Sequence, residues 1–151
     1  MFAFVFTFVT LLPHLTIESI GDPTGPSESK SFISDSVCYN SSIMSQQSGA
    51  KGIIAMTQSG YTAFRISSQR PKSNIFIFTD NMEILTTLNL VWGVRAFHYD
   101  KYESNDNTIK DIKNFLKQKG YVHEGDMVIN VFSTPIDDRG MANTIKLNFI
   151  S

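Results

Sequence analysis

A short run of hydroxyl-bearing residues, TQSGYT at 57–62, directly follows the apolar run GIIA. Thr57, Ser59 and Thr62 each offer a hydroxyl, and Gly60 allows the backbone to approach a ligand closely. The free N–H groups at the start of the helix that follows favour anions at the same place. The stretch therefore predicts a phosphate-binding loop, although it has neither the Walker A ending nor a G-x-G-x-x-G pattern. An ordinary helix cap at Ser59 or Thr62 explains the same residues, so both interpretations stay open.

Other catalytic chemistries lack their usual residue patterns in this chain. Ser59 is not part of the G-x-S-x-G pattern of a nucleophilic serine. His98 falls among strand residues, where we expect it to be packed, and His123 falls in a polar turn, where we expect it to be solvated. Neither histidine has a metal-ligand spacing to another His or Cys. The two acids that begin at Asp137 adjoin an arginine and are typical of a solvated loop tip. The sequence therefore predicts no catalytic residue and no metal site.

Charge and cysteine content narrow the possible partners. Thirteen basic residues against fourteen acidic ones give a net charge of −1 over 151 residues. Without a basic excess, a nucleic-acid partner is not expected. Cys38 is the only cysteine, so the chain can form no internal disulfide, and a reducing cytoplasm is the expected location.

The first thirty residues differ from the rest of the chain. An apolar stretch runs to Pro13, and a segment rich in Gly, Pro and Ser follows it. The basic n-region of a signal peptide is missing, and the apolar stretch is too short to span a bilayer as a helix. We therefore expect residues 1–30 to be a leader and linker, residues 31–151 to be the domain, and no membrane association.

From residue 31 onward, predicted helices alternate with predicted strands. A first helix is expected to begin at Ser34 or Asp35 and to stop at Gly49, with Val37, Tyr39, Ile43 and Met44 buried. The next helix must end near Arg70 because Pro71 follows it. Asn107 is the expected cap of the last helix. The predicted strands are 51–57, 74–79, 94–99, 127–133 and 143–150, and the later helices are 62–70, 82–92 and 105–120.

This alternation predicts an α/β domain whose sheet is mostly parallel and covered by helices. No helix separates the last two strands, so the final strand is expected to be an antiparallel edge strand. Ligands of such sheets bind beyond the carboxyl ends of the strands. Two loops lie there: residues 57–62, and residues 134–142, which form an unusually long connection for a hairpin.

Several motifs in fixed order resemble the C-terminal domain of pyruvate kinase. They are KGIIAMTQSGYTAFRISSQRPKSNIFIFTDN, LNLVWGV, GYVHEGDMVINV and ANTIKL, and SDSVCYN resembles the opening helix of that domain. The resemblance covers about residues 31–151. It implies a three-layer domain whose five-stranded sheet has the order 3-2-1-4-5, with the last strand antiparallel.

The resemblance also implies a regulatory and assembly role. Many members of the family bind a sugar phosphate or another phosphorylated metabolite, and they associate with further copies and with a catalytic barrel. By this resemblance the phosphate-binding residues are Thr57, Ser59, Gly60 and Thr62. The loop that closes over the effector corresponds to residues 134–142 and contains Thr134, Asp137, Arg139 and Gly140.

Two departures from the family limit what this chain is expected to do. The segment after the third strand has Lys101 and Lys110 but no Trp or Arg to clamp a second phosphate, and the loop acids at 137 and 138 repel phosphate. We therefore expect a single-phosphate site. In the family, a separate barrel domain converts phosphoenolpyruvate and ADP to pyruvate and ATP in glycolysis, with Mg and K. Residues 1–30 are too few to form that barrel. We therefore expect no cofactor in this domain and no activity from the chain alone. A stand-alone enzyme acting on phosphate esters and a nonfunctional truncated remnant are the alternatives.

Overall fold

The computed structural model describes residues 31–101, 104–134 and 141–151. The described residues from Ile33 to Ser151 form one α/β unit. The leader and linker expected at 1–30 lie outside the described residues. No helix in the described part of the chain is both long and apolar enough to cross a membrane.

In the part of the chain that the structure describes, five strands form one sheet in the order β3-β2-β1-β4-β5. The strands are β1 (Gly52–Met56), β2 (Asn74–Thr79), β3 (Val94–His98), β4 (Met127–Phe132) and β5 (Thr144–Phe149). The first four strands pair in parallel, and β5 pairs antiparallel with β4. The three central strands are buried on both faces, which explains their nearly continuous apolar runs. The predicted fold class and strand order are confirmed.

The described residues contain four helices, which cover the two faces of the sheet. They are α1 (Phe32–Ser48), α2 (Tyr61–Ser68), α3 (Met82–Leu88) and α4 (Asn105–Gln118). Residues of α1, α2 and α3 pack with Ile53, Ile77 and Ile129 on one face. Residues of α4 pack with Phe76 and Phe78 on the other face. Each face thus has its own apolar core, and the sheet separates the two cores.

The first helix differs from its prediction in both its start and its buried face. It begins at Phe32, so Ser34 and Asp35 lie inside the helix and do not cap it. Its buried residues are small: Ser34, Cys38, Ser41, Ser42 and Ser45. The side chains predicted to be buried, Val37, Tyr39, Ile43 and Met44, are half-buried. Ser41, Ser42 and Ser45 tolerate burial because their hydroxyls donate to carbonyls of the preceding turn, as Ser41 Oγ does to Cys38 O at 2.7 Å.

Two other helix ends also differ from the predictions. Ser104 caps α4, since its side chain accepts a hydrogen bond from the Asn107 N–H at 3.3 Å, and the predicted cap at Asn107 is wrong. Helix α3 stops at Leu88, four residues before the predicted end. The Asn89 side chain accepts the N–H of Ala96 at 3.0 Å, so the chain turns toward β3 at this point.

Candidate functional site

The hydroxyl loop lies at the carboxyl ends of the parallel strands, as predicted. Ala55 and Val131 form the last residue pair between β1 and β4. Thr57 follows Ala55 by two positions and Thr134 follows Val131 by three, so both begin loops at the same edge of the sheet. Because β1 and β4 are neighbours, the two predicted loops start side by side.

The loop forms a tight turn through its own hydroxyls. Thr57 Oγ1 accepts the N–H of Gly60 at 3.0 Å, and Ser59 Oγ accepts the N–H of Tyr61 at 3.4 Å. Gly60 has φ 85°, in the left-handed region that a residue with a side chain enters at a cost, and it is the N-cap residue of α2. Neither Ser59 nor Thr62 caps the helix, so that alternative is wrong: Thr62 is buried in the first turn of α2.

This turn brings the donors of an anion site together. The first N–H groups of a helix have no acceptor within the helix, and α2 begins directly after Gly60. The exposed Ser59 lies beside them. The Gly60 and Tyr61 N–H groups already donate to Thr57 and Ser59. The later N–H groups of the first turn and the Ser59 hydroxyl hydrogen are the donors that remain for a negatively charged group, and they suit a phosphate oxygen.

The neighbouring loop holds the turn in place. The Gln58 side-chain amide donates to both carboxylate oxygens of Asp80, each at 3.3 Å. Asn81, which follows β2, donates from its side chain to the Gln58 carbonyl at 3.1 Å. The same Asn81 side chain accepts the N–H of Glu83 and so caps α3. The loop after β1 is therefore anchored to the start of α3.

Helix α1 holds the turn from the other side through Asp35. The Tyr61 hydroxyl donates to Asp35 Oδ1 at 2.5 Å, and Arg65 Nε donates to the same oxygen at 2.6 Å. The hydrogen bond to Asp35 raises the pKa of Arg65 above its usual value, although partial burial opposes this shift. This cluster was not predicted from the sequence. The four-residue spacing of Tyr61 and Arg65 on one helix face was the signal that could have revealed it.

The second predicted loop is described only at its ends. Thr134 is exposed, its N–H donates to the Asn143 side chain at 2.9 Å, and Asn143 donates back to the Thr134 carbonyl at 2.9 Å. This reciprocal pair closes the base of the loop. Asp137, Arg139 and Gly140 lie outside the described residues, so their predicted role stays a prediction.

A surface pocket of about 340 Å³ lies between the end of β3 and α4. Its lining residues are Tyr99, Lys101, Asn107, Thr108, Lys110, Asp111 and Asn114. Both lysines of the segment expected to meet a second phosphate therefore line one pocket. Asp111 lies there with them and offsets part of their charge.

The described residues contain no group of three or more His, Cys, Asp or Glu side chains placed to hold a metal ion. His98 is exposed at the end of β3, so the prediction that it is packed is wrong: β3 is an edge strand. His123 is exposed, as predicted.

Burial raises the pKa of the Cys38 thiol to about 12, and the Ser34 hydroxyl offsets part of that shift.

Comparison with known proteins agrees with this geometry. Residues 35–148 match the family model described as pyruvate kinase, alpha/beta domain. The chain is 38% identical over 105 residues to the pyruvate kinase of Lactobacillus delbrueckii subsp. bulgaricus, covering 70% of this chain and 18% of that protein. It is 32% identical over 101 residues to the pyruvate kinase of Clostridium acetobutylicum, covering 67% of this chain and 21% of that protein.

A solved structure supports the fold independently. The structure of a pyruvate kinase from Cryptosporidium parvum superposes with a TM-score of 0.71 at 21% sequence identity, covering 83% of this chain and 24% of that one. The sheet and its loops define an α/β domain of the class that binds ligands at the carboxyl ends of parallel strands. The chain belongs to the pyruvate kinase α/β domain family. It spans about a fifth of the length of the curated relatives, at 18% and 21%.

Proposed function

We propose that this domain binds a phosphorylated metabolite at residues 57–62 and acts as a regulatory and assembly module of a pyruvate kinase. The observation that supports binding is the turn between β1 and α2. There the exposed Ser59 hydroxyl lies beside the start of an eight-residue helix, whose first turn has N–H groups without an acceptor in the helix, at the edge of the sheet where the parallel strands end. Thr57 shapes this turn, and Thr62 packs beneath it.

We propose that the domain holds one phosphate group of its ligand tightly, and that the ligand is a metabolite such as a sugar phosphate. The turn provides donors for a single phosphate group. The two pocket lysines, Lys101 and Lys110, are single charges on flexible side chains, and Asp111 lies beside them. A second phosphate would therefore contribute little to the affinity. Thr134 and the loop that follows it are proposed to lie over the bound metabolite.

The domain alone is proposed to be catalytically inactive. The relatives that it matches are whole pyruvate kinases, and this chain corresponds to about a fifth of each, at 18% and 21%. By the family resemblance, phosphoryl transfer with Mg and K belongs to the barrel domain. A coupled assay of the purified chain with phosphoenolpyruvate and ADP should give no pyruvate above buffer, and a panel of phosphate esters should release no phosphate. Reproducible turnover in either assay would favour the stand-alone enzyme.

A second copy of the chain is the proposed assembly partner. Strand β5 ends the sheet in the described part of the chain, so its outer backbone groups have no strand beside them. Leu147 and Phe149 alternate along it and are 40% and 62% exposed. An antiparallel pair of β5 strands would bury both side chains and extend the sheet across two copies. If the folded domain assembles in this way, the chain is not a nonfunctional remnant. We also propose a cytoplasmic location.

Replacement of Ser59 with aspartate tests the ligand proposal. A carboxylate beside the helix N-terminus takes the place of the ligand's charge and repels it, so affinity for a sugar phosphate should fall about tenfold or more. Isothermal titration calorimetry with fructose 1,6-bisphosphate, a monophosphate and inorganic phosphate measures this. Ser151→Asp, at the exposed C-terminus, adds the same charge elsewhere and should bind as the wild type does. Equal binding by the wild type and Ser59→Asp would contradict the proposed site.

A further inference from the structure

The hydroxyl loop has no positive charge of its own. The sequence TQSGYT contains no basic residue, and the first basic residue after it is Arg65. The side chain of Gln58 in the loop holds the carboxylate of Asp80. A phosphate that enters the turn therefore depends on uncharged donors and on whatever positive charge lies nearby.

Arg65 lies within one helical turn of the loop. Tyr61 is the first residue of α2, and Arg65 follows four positions later, on the same face of the helix. Side chains of a helix lean toward its N-terminus, and the guanidinium carbon of Arg65 lies 5.5 Å from the centre of the Tyr61 ring. The positive charge is thus directed back along the first turn of α2, beside the candidate phosphate site.

Asp35 neutralises that charge. Its Oδ1 accepts from Arg65 Nε at 2.6 Å, and the Arg65 and Asp35 side chains are only 30% and 21% exposed. Water screens such a half-buried pair less than it screens a surface pair. The same oxygen accepts the hydroxyl hydrogen of Tyr61. One carboxylate of α1 therefore holds both residues of α2 that flank the loop.

We propose that Asp35 is an affinity-determining residue of the phosphate site, because its ion pair with Arg65 cancels the positive charge of α2 beside the loop. The inference rests on the proposed function of residues 57–62. The contact is autoinhibitory: while the pair is intact, phosphate meets a neutral helix start. Any change that draws Asp35 away from Arg65 raises the affinity for phosphate.

Replacing Asp35 with asparagine tests the effect of its negative charge separately from the effect of its hydrogen bonds. The asparagine amide oxygen can still accept from Tyr61 and Arg65, while the negative charge is lost. Asp35→Asn should bind phosphate about two- to fivefold more tightly, and Arg65→Gln, which removes the positive charge of the pair and keeps the negative one, about two- to fivefold more weakly. The double variant restores neutrality and should match the wild type. Glu124→Gln is the matched control, since it removes one exposed negative charge, paired with Lys117, at the opposite edge of the sheet.

The measurement is a titration of each ¹⁵N-labelled chain with inorganic phosphate at pH 8, following the Gly60 and Thr62 amide signals. About 10 mM salt keeps the Debye length near 30 Å, so that the charge effect is not screened. Thermal melts show whether each variant is folded. If Asp35→Asn does not fold, Arg65→Gln decides the question alone: unchanged affinity in that variant would overturn the inference.

The inference and the proposed function fail in different ways. If wild type binds at Gly60 and Thr62 but Asp35→Asn binds no more tightly than Glu124→Gln, the inference is wrong and the proposed site stands. If these amides respond only in Asp35→Asn, the inference is supported and the wild-type site is masked by the ion pair. If they respond in no variant, both the inference and the proposed site are overturned.

Discussion

At the scale of single residues, Gly60 has the most constrained position in the candidate site. Its φ of 85° lies in the left-handed region, and it is the N-cap of α2. A Cβ atom built there would lie 3.2 Å from Phe64 Cε2 and 3.3 Å from Leu88 Cδ2. The shape of the loop therefore depends on the absence of a side chain at this position.

Gly60→Ala should lower the free energy of unfolding by about 2 kcal/mol, combining the left-handed cost of about 1–2 kcal/mol with the close contacts. Gly120→Ala separates these two causes, because Gly120 has φ 73° but no atom within 4 Å of a built Cβ. It should cost about 1 kcal/mol. Urea denaturation of the three proteins provides the comparison. Equal losses in both variants would show that the contacts with Phe64 and Leu88 contribute nothing.

At the scale of elements, the sequence predicted the strands better than the helix faces. Every strand followed from apolar runs and their alternation with helices, whereas the sheet order followed from the resemblance to the pyruvate kinase family. The buried face of α1 could not be predicted, because Ser41, Ser42 and Ser45 satisfy their hydroxyls within the helix. A hydropathy pattern does not record that local bonding.

The candidate site was predictable only in part, for a similar reason. The hydroxyl loop follows from residue types in one short segment. The partners Asp35 and Asp80 lie 26 and 22 positions away from the loop residues that they bind. Such contacts depend on how α1 and β2 pack beside β1, and a single sequence does not record that packing.

Strand β5 is the element that should control self-association. Leu147→Lys should weaken a dimer about tenfold or more, because a charged side chain replaces apolar surface on the outer strand and like charges meet across the two copies. Sedimentation equilibrium over a concentration series measures this. Leu90→Lys, at an 85% exposed position after α3, is the matched control and should associate as the wild type does. A wild type that stays monomeric at millimolar concentration would rule out β5 pairing.

At the scale of the whole molecule, Cys38 reports on the stability of the entire fold. The side chain is 1% exposed and packs in the core between α1 and the sheet. Burial raises its pKa to about 12, well above the usual value of a thiol. The folded protein therefore keeps the thiol protonated at pH values where the unfolded chain has already lost the proton.

Between pH 9 and pH 12 the unfolded state binds fewer protons at Cys38 than the folded state does. Stability must therefore fall as pH rises, by up to about 1.4 kcal/mol per pH unit from this group. Chemical denaturation at pH 8, 9 and 10 measures the slope. Cys38→Ala should show a shallower slope over the same range, whatever its stability at pH 8. Parallel slopes would show that the thiol does not contribute.

The antiparallel direction of β5 has a practical consequence for attaching this domain to anything else. Since β5 runs back from the edge that holds the hydroxyl loop, Ser151 leaves the domain at the opposite edge of the sheet. A dye, a biotin or a sensor surface joined at the C-terminus would therefore leave the candidate ligand site open to solution.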